Sequence, residues 1–92
     1  MRAEIVNRVF LHETHVEGQS TIQYQIGNAP TRTFRVRVPE EFKNVKFTAQ
    51  GLRSDEPDPQ SPNDWIITLQ DKRIGNYALS FTWEWDLSLI HI

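Results

Sequence analysis

The chain has 92 residues, a formal net charge of −2 from ten basic and twelve acidic side chains, and no cysteine. That length holds one domain with one core. A chain of this size buries only about 60–65% of the surface that its unfolded form exposes, so large side chains must supply the burial. Three Trp, five Phe and two Tyr are present for it, each removing roughly 150–250 Å² from water when buried. A nucleic-acid binder shows a basic excess or stripe. Here Arg35 and Arg37 come nearest to a cluster, and Glu40 and Glu41 follow at once, so nucleic acid is not an expected partner. Without cysteine there is no disulfide, thiol nucleophile or thiolate-held zinc. No apolar run approaches the ~20 residues of a spanning helix, and Glu4 stands where a leader peptide would carry its apolar stretch.

Residues 3–12 read in two ways. Ile5, Val6, Val9 and Phe10 would share a helical face, whereas Ile5, Val9 and Leu11 would share a strand face. The β-branched content and the absence of a capping signal favour a strand. His12-Glu13-Thr14-His15 comes next. It is not the zinc-protease motif, whose histidines lie four apart on a helix. In a strand, His12 and His15 would point to opposite faces, so exposed residues at a strand end are expected and no metal is assigned.

Alternation with period two, the mark of a half-buried strand, then dominates. Ile22, Tyr24 and Ile26 form the first inward set, and Gly27-Asn28-Ala29-Pro30-Thr31 predicts a hairpin. Phe34, Val36 and Val38 form the second set, with Arg35 and Arg37 outward and Pro39 ending the strand. Val45, Phe47 and Ala49 form the third. Residues 53–64 predict a long loop, because Pro57, Pro59 and Pro62 oppose a ladder. Asp55, Glu56, Asp58, Asn63 and Asp64 place hard oxygen ligands there, as calcium candidates. Their spacing fits no familiar calcium loop, and a solvated acidic loop is the commoner occurrence.

Trp65, Ile67 and Leu69 form the fourth set, and Gly75-Asn76 leads into the longest, Tyr77, Leu79, Phe81, Trp83, Trp85 and Leu87. Leu87–Ile92 either extends that strand or frays. Trp83 and Trp85 share a face, as aromatics do where sugar-binding modules stack pyranose rings. Leu79 and Phe81 occupy the same face, so a structural role is expected. Trp85, near the strand end where a core thins, is retained as the ligand-binding candidate.

Six or seven short strands without a convincing helix imply an all-β domain over residues 1–92, a two-sheet antiparallel β-sandwich, with a small barrel as the alternative. Tyr24, Phe34, Val36, Phe47, Trp65, Ile67, Leu79, Phe81 and Trp83 should share its core. If their strands are neighbours, Arg35 and Arg37 should meet Glu84 and Asp86 across the ladder. No nucleophile elbow, phosphate loop or dinucleotide fingerprint is present. Ser20, Ser54, Ser61, Ser80 and Ser88 lack a histidine placed as base, and no asparagine begins a glycosylation sequon. No catalytic residue or cofactor is assigned, and an enzyme is not expected.

The runs Phe34-Arg-Val-Arg-Val-Pro39, Val45-Lys-Phe-Thr-Ala-Gln-Gly51, Trp65-Ile-Ile-Thr-Leu69 and Gly75-Asn-Tyr-Ala-Leu-Ser-Phe-Thr-Trp83 together resemble immunoglobulin-like sandwich modules of large bacterial envelope proteins. The resemblance covers roughly residues 21–87 and implies an immunoglobulin-like or fibronectin III-like sandwich. It also implies an extracytoplasmic setting, periplasmic or at the cell surface, and a role as a spacer or display platform joined to neighbouring domains or another protein. A carbohydrate- or ligand-binding module and an interaction domain pairing through an exposed edge strand are the rival functions.

Overall fold

The structure is a computed structural model that describes residues 1–86; the expectations for Leu87 and the rest of the C-terminal stretch lie outside the described residues. Five strands follow one another: β1 (Arg2–Leu11), β2 (His15–Arg37), β3 (Lys43–Ala49), β4 (Leu52–Asp58) and β5 (Ser61–Asp86). They pair antiparallel in one sheet of order β1-β2-β5-β3, with β4 also on β5. Among the described residues no helix is long and apolar enough to cross a membrane.

The alternation in the sequence becomes alternation in burial. Val16, Ile22, Tyr24 and Ile26 on β2 face the core, as do Tyr77, Leu79, Phe81 and Trp83 on β5, while Glu17, Gln19, Gln23 and Gln25 on β2 face solvent. All nine expected core residues take part. Eight are buried, and Trp65 packs half-buried against them. The strand reading of residues 3–12 is the one realised.

Three expectations are corrected. The hairpin at residues 27–31 does not form: the two runs flanking it are one strand, β2, and the runs at 65–69 and 77–86 likewise belong to β5. Six or seven strands therefore become five among the described residues. Register breaks between Ile26 and Thr31 and again by Thr33, opposite Arg73 and Gly75 on β5, so both long strands bend together at one level. Gly75 adopts φ 79°, a left-handed conformation that glycine enters at no steric cost. Turn residues interrupt pairing, but whether the chain then reverses or merely bends depends on what it packs against.

The bend folds the sheet back on itself. Tyr24 and Phe34 lie ten residues apart on β2, about 33 Å in a straight strand, yet their ring centroids are 4.6 Å apart. Phe34 stacks on Tyr77 at 5.6 Å, and Phe47 touches both Phe81 (5.0 Å) and Trp65 (5.3 Å), which lie sixteen residues apart on β5. The two halves of the long strands thus share one apolar interior.

The second correction concerns residues 53–64. Most of them are strand, with β4 and the start of β5 paired around Pro59-Gln60. Pro57 sits opposite Trp65, which is tolerated because β4 lies at an edge, where a missing N–H costs no ladder bond. The third concerns charge. Arg35 pairs with Ile66 and Arg37 with Asp64, while Glu84 lies between Glu17 and Lys43 and Asp86 lies opposite His15. The expected Arg–Glu84 and Arg–Asp86 contacts are replaced by others.

Candidate functional site

The acidic candidates separate into two groups. Arg35 donates through Nε to Asp64 Oδ2 (3.0 Å) and through Nη2 to Asp58 Oδ2. Arg37 donates through Nε to Asp64 Oδ1 at 2.8 Å, and Ser61 Oγ adds a longer contact at 3.4 Å. Asp64 is only 6% exposed. Hydrogen bonding from Arg37, opposed by burial and aided by Arg35, brings its carboxyl down to about 2. The Asp58 carboxyl is also held below the usual carboxylate range, first by the Gln60 backbone N–H and then by Arg35. Both carboxylates clamp the β4–β5 turn to β2, with their charge already met by guanidinium. Asp55 and Glu56, consecutive on β4 opposite Ile67 and Ile66, point to alternate faces. Asp55, Glu56, Asp58 and Asp64, the carboxylates among the calcium candidates, therefore do not converge as one oxygen cage.

The tryptophans serve the interior. Trp83 lies opposite Gly18, its ring stacked under Phe42 at 3.9 Å and 4°. Its Nε1 donates to Ser20 Oγ (3.0 Å), and Ser20 donates onward to Asn7 Oδ1 (2.6 Å), a chain of side chains tying β5 to β2 to β1. Trp65 packs on Phe47. Trp85, the ligand candidate, is half-buried against the same core.

Two surface features stand apart from this. The first is β1. Its pairing with β2 is unbroken over ten residues, and every one of its residues is exposed. Ile5, Val9 and Leu11 pair with Ile22, Gly18 and Val16, the core-facing set of β2, so they continue the apolar face of the sheet. Yet they remain 56%, 57% and 76% exposed. Val6 and Phe10 are comparably exposed on the other face. The apolar pattern was legible in the sequence; that nothing in the described chain covers it was not.

The second is the turn between β1 and β2. His12 lies beyond the end of β1, its backbone N–H donating to His15 O at 2.9 Å. The chain reverses there, so the expectation that the two histidines face opposite ways fails. Their rings stack with centroids 4.6 Å apart. His12 Nε2 lies 3.4 Å from Glu17 Oε2 and His15 Nε2 lies 3.2 Å from Glu17 Oε1. The His15 contact, joined by the His12 charge and contact, holds the Glu17 carboxyl below its ordinary value. The signal available in the sequence was the spacing His12, His15, Glu17 across a turn rather than along a strand.

What these features define is an all-β antiparallel protein with an apolar edge that none of the described residues covers. Among protein-family models, curated proteins and solved structures, none matches the chain.

Proposed function

We propose that the chain is a non-catalytic β-sandwich module that binds protein by strand addition along the free edge of β1, and that a second copy of itself is the occupant. The observation that carries this reading is β1: ten unbroken residues, exposed throughout, with Ile5, Val6, Val9, Phe10 and Leu11 all more than half accessible. Sheets blunt exposed edges with prolines, bulges, short strands or charges; β1 has no proline, no bulge and ten residues, and its charges, Arg2, Glu4 and Arg8, are of both signs. An inert spacer would be expected to protect such an edge. A sugar platform would need an uncovered Trp face, and Trp83 is covered by Phe42.

Charge complementarity favours self-pairing. When two copies of β1 run antiparallel about a two-fold axis at Val6, Val6 meets Val6, Ala3 meets Val9, and Glu4 meets Arg8 twice. The sandwich reading rests on the ring contacts across the bend. Counting the bent halves separately, residues 15–26 pair with residues 75–86, and residues 52–58 lie against 61–69. In the immunoglobulin order the second strand pairs with the fifth, so the sandwich proposed here exchanges the fifth and last segments.

Sedimentation velocity over a concentration series tests the proposal. The wild type should dimerise. Glu4→Arg and Arg8→Glu should each raise the dimer dissociation constant by about 5- to 150-fold, since two attractive cross-strand pairs become repulsive. The double variant should restore it. A wild type that stays monomeric at high concentration, or charge reversals without effect, would overturn self-pairing through β1.

A further inference from the structure

We infer that the β1–β2 turn is a surface site for a borderline divalent cation such as Zn²⁺, held by His12, His15 and Glu17. The inference does not depend on the edge-strand reading. Each of the three residues offers one ligand atom, and these atoms all lie within 4.8 Å of one another. Metal–nitrogen bonds of 2.0–2.1 Å and metal–oxygen bonds of 2.0–2.2 Å at tetrahedral angles separate donors by about 3.3–3.5 Å. The Glu17 carboxylate faces both imidazoles, Oε2 at 3.4 Å from His12 Nε2 and Oε1 at 3.2 Å from His15 Nε2, so each histidine stands close to that span from a carboxylate oxygen, and small side-chain rotations bring the set onto one cation. Two imidazoles and one carboxylate suit zinc and its neighbours, whereas calcium and magnesium take oxygen sets. Three protein ligands leave a position for water or for a ligand from a partner.

The surroundings support the assignment. Thr14 Oγ1 lies 3.3 Å from His15 Nδ1; a proton on Nδ1 donated to that hydroxyl leaves the Nε2 lone pair aimed at the cation, the usual outer contact of a metal-bound histidine. The cross-strand partners of His15 and Glu17 are Asp86 and Glu84, with Lys43 beyond Glu84 and Glu13 within the turn. Acidic groups outnumber the one lysine, which favours a cation. All three ligand residues are partly or largely accessible, so a cation can reach them without opening the fold.

Isothermal titration of the full chain with Zn²⁺ at neutral pH should give one saturable site. Co²⁺ should give a visible spectrum of low-symmetry, nitrogen-ligated type. His12→Ala, His15→Ala and Glu17→Gln should each weaken Zn²⁺ binding at least about tenfold, since even outer-contact losses cost 10- to 100-fold. Glu56→Gln, on β4 opposite Ile66, should leave it unchanged, and millimolar Ca²⁺ should not compete. Circular dichroism confirms that each variant is folded. Absence of a saturable site, His12 and His15 variants that bind like the wild type, or full displacement by Ca²⁺ would overturn the assignment.

Discussion

Gly18→Ala is a one-carbon perturbation whose cost can be worked from the geometry. A Cβ at position 18 would stand 2.0 Å from Trp83 Cζ2 and 2.1 Å from Cε2, more than an ångström inside ordinary contact. The indole cannot simply retreat. Phe42 stacks on it at 3.9 Å, and its Nε1 is tethered to Ser20 Oγ. Overpacking of this kind costs about 1–3 kcal/mol, while replacing glycine in a strand returns roughly 0.5–1 kcal/mol. The net loss should be at most about 2.5 kcal/mol, which at its upper end is a sizeable part of the ~5–15 kcal/mol that holds a domain folded. The control is the same change in a Trp83→Leu background, which removes the ring and keeps an apolar side chain. There Gly18→Ala should be neutral or slightly stabilising, a coupling of about 1–3 kcal/mol between the two sites. Urea denaturation followed by far-UV circular dichroism measures all four corners of the cycle. An equal cost of Gly18→Ala in both backgrounds would refute close ring approach as the reason for glycine at this position.

Two further outcomes follow from the same interior and its clamp. Trp83→Ala should lose about 3–5 kcal/mol and Thr82→Ala, one residue away on the solvent face, no more than roughly 0.5 kcal/mol; equal denaturation midpoints would mean that β5 presents the other face to the core. Because the folded Asp64 carboxyl titrates at about 2, below its ordinary value, its ion pairs stabilise the fold above about pH 4 and that contribution is lost as pH falls toward 2. The thermal midpoint of Asp64→Asn should therefore lie below that of the wild type at pH 6 and converge on it by pH 2; parallel curves over that range would exclude the Arg35–Asp64–Arg37 clamp as a source of stability.

Alternation was enough to assign the class and the inward face of nearly every run, because period two depends only on which side chains avoid water. It placed Phe34, Phe81 and Trp83 inside, and it put Ile5, Val9 and Leu11 on one face of a strand. It failed at the turn residues. Gly27 to Pro30 break a ladder equally well for a reversal or for a bend, and the three prolines at 57–62 hid β4, since an edge strand has no second ladder for a proline to spoil. The candidate sites were less legible still. Asp58 and Asp64 looked like spare oxygen ligands until pairing brought Arg35 and Arg37 beside them. His12 and His15 looked divergent until the turn closed between them.

The sequence by itself determined that this is a β protein with a Trp- and Phe-rich core, since burial preference and backbone propensity are local properties of each residue. Only the tertiary structure decided that the sheet folds back to bring Phe34 onto Tyr77, that two arginines neutralise the acidic turn, and that the described residues leave the apolar side chains of β1 uncovered. Those outcomes depend on contacts between residues far apart in the chain, whose free energy belongs to pairs and layers and so has no signature in any single segment.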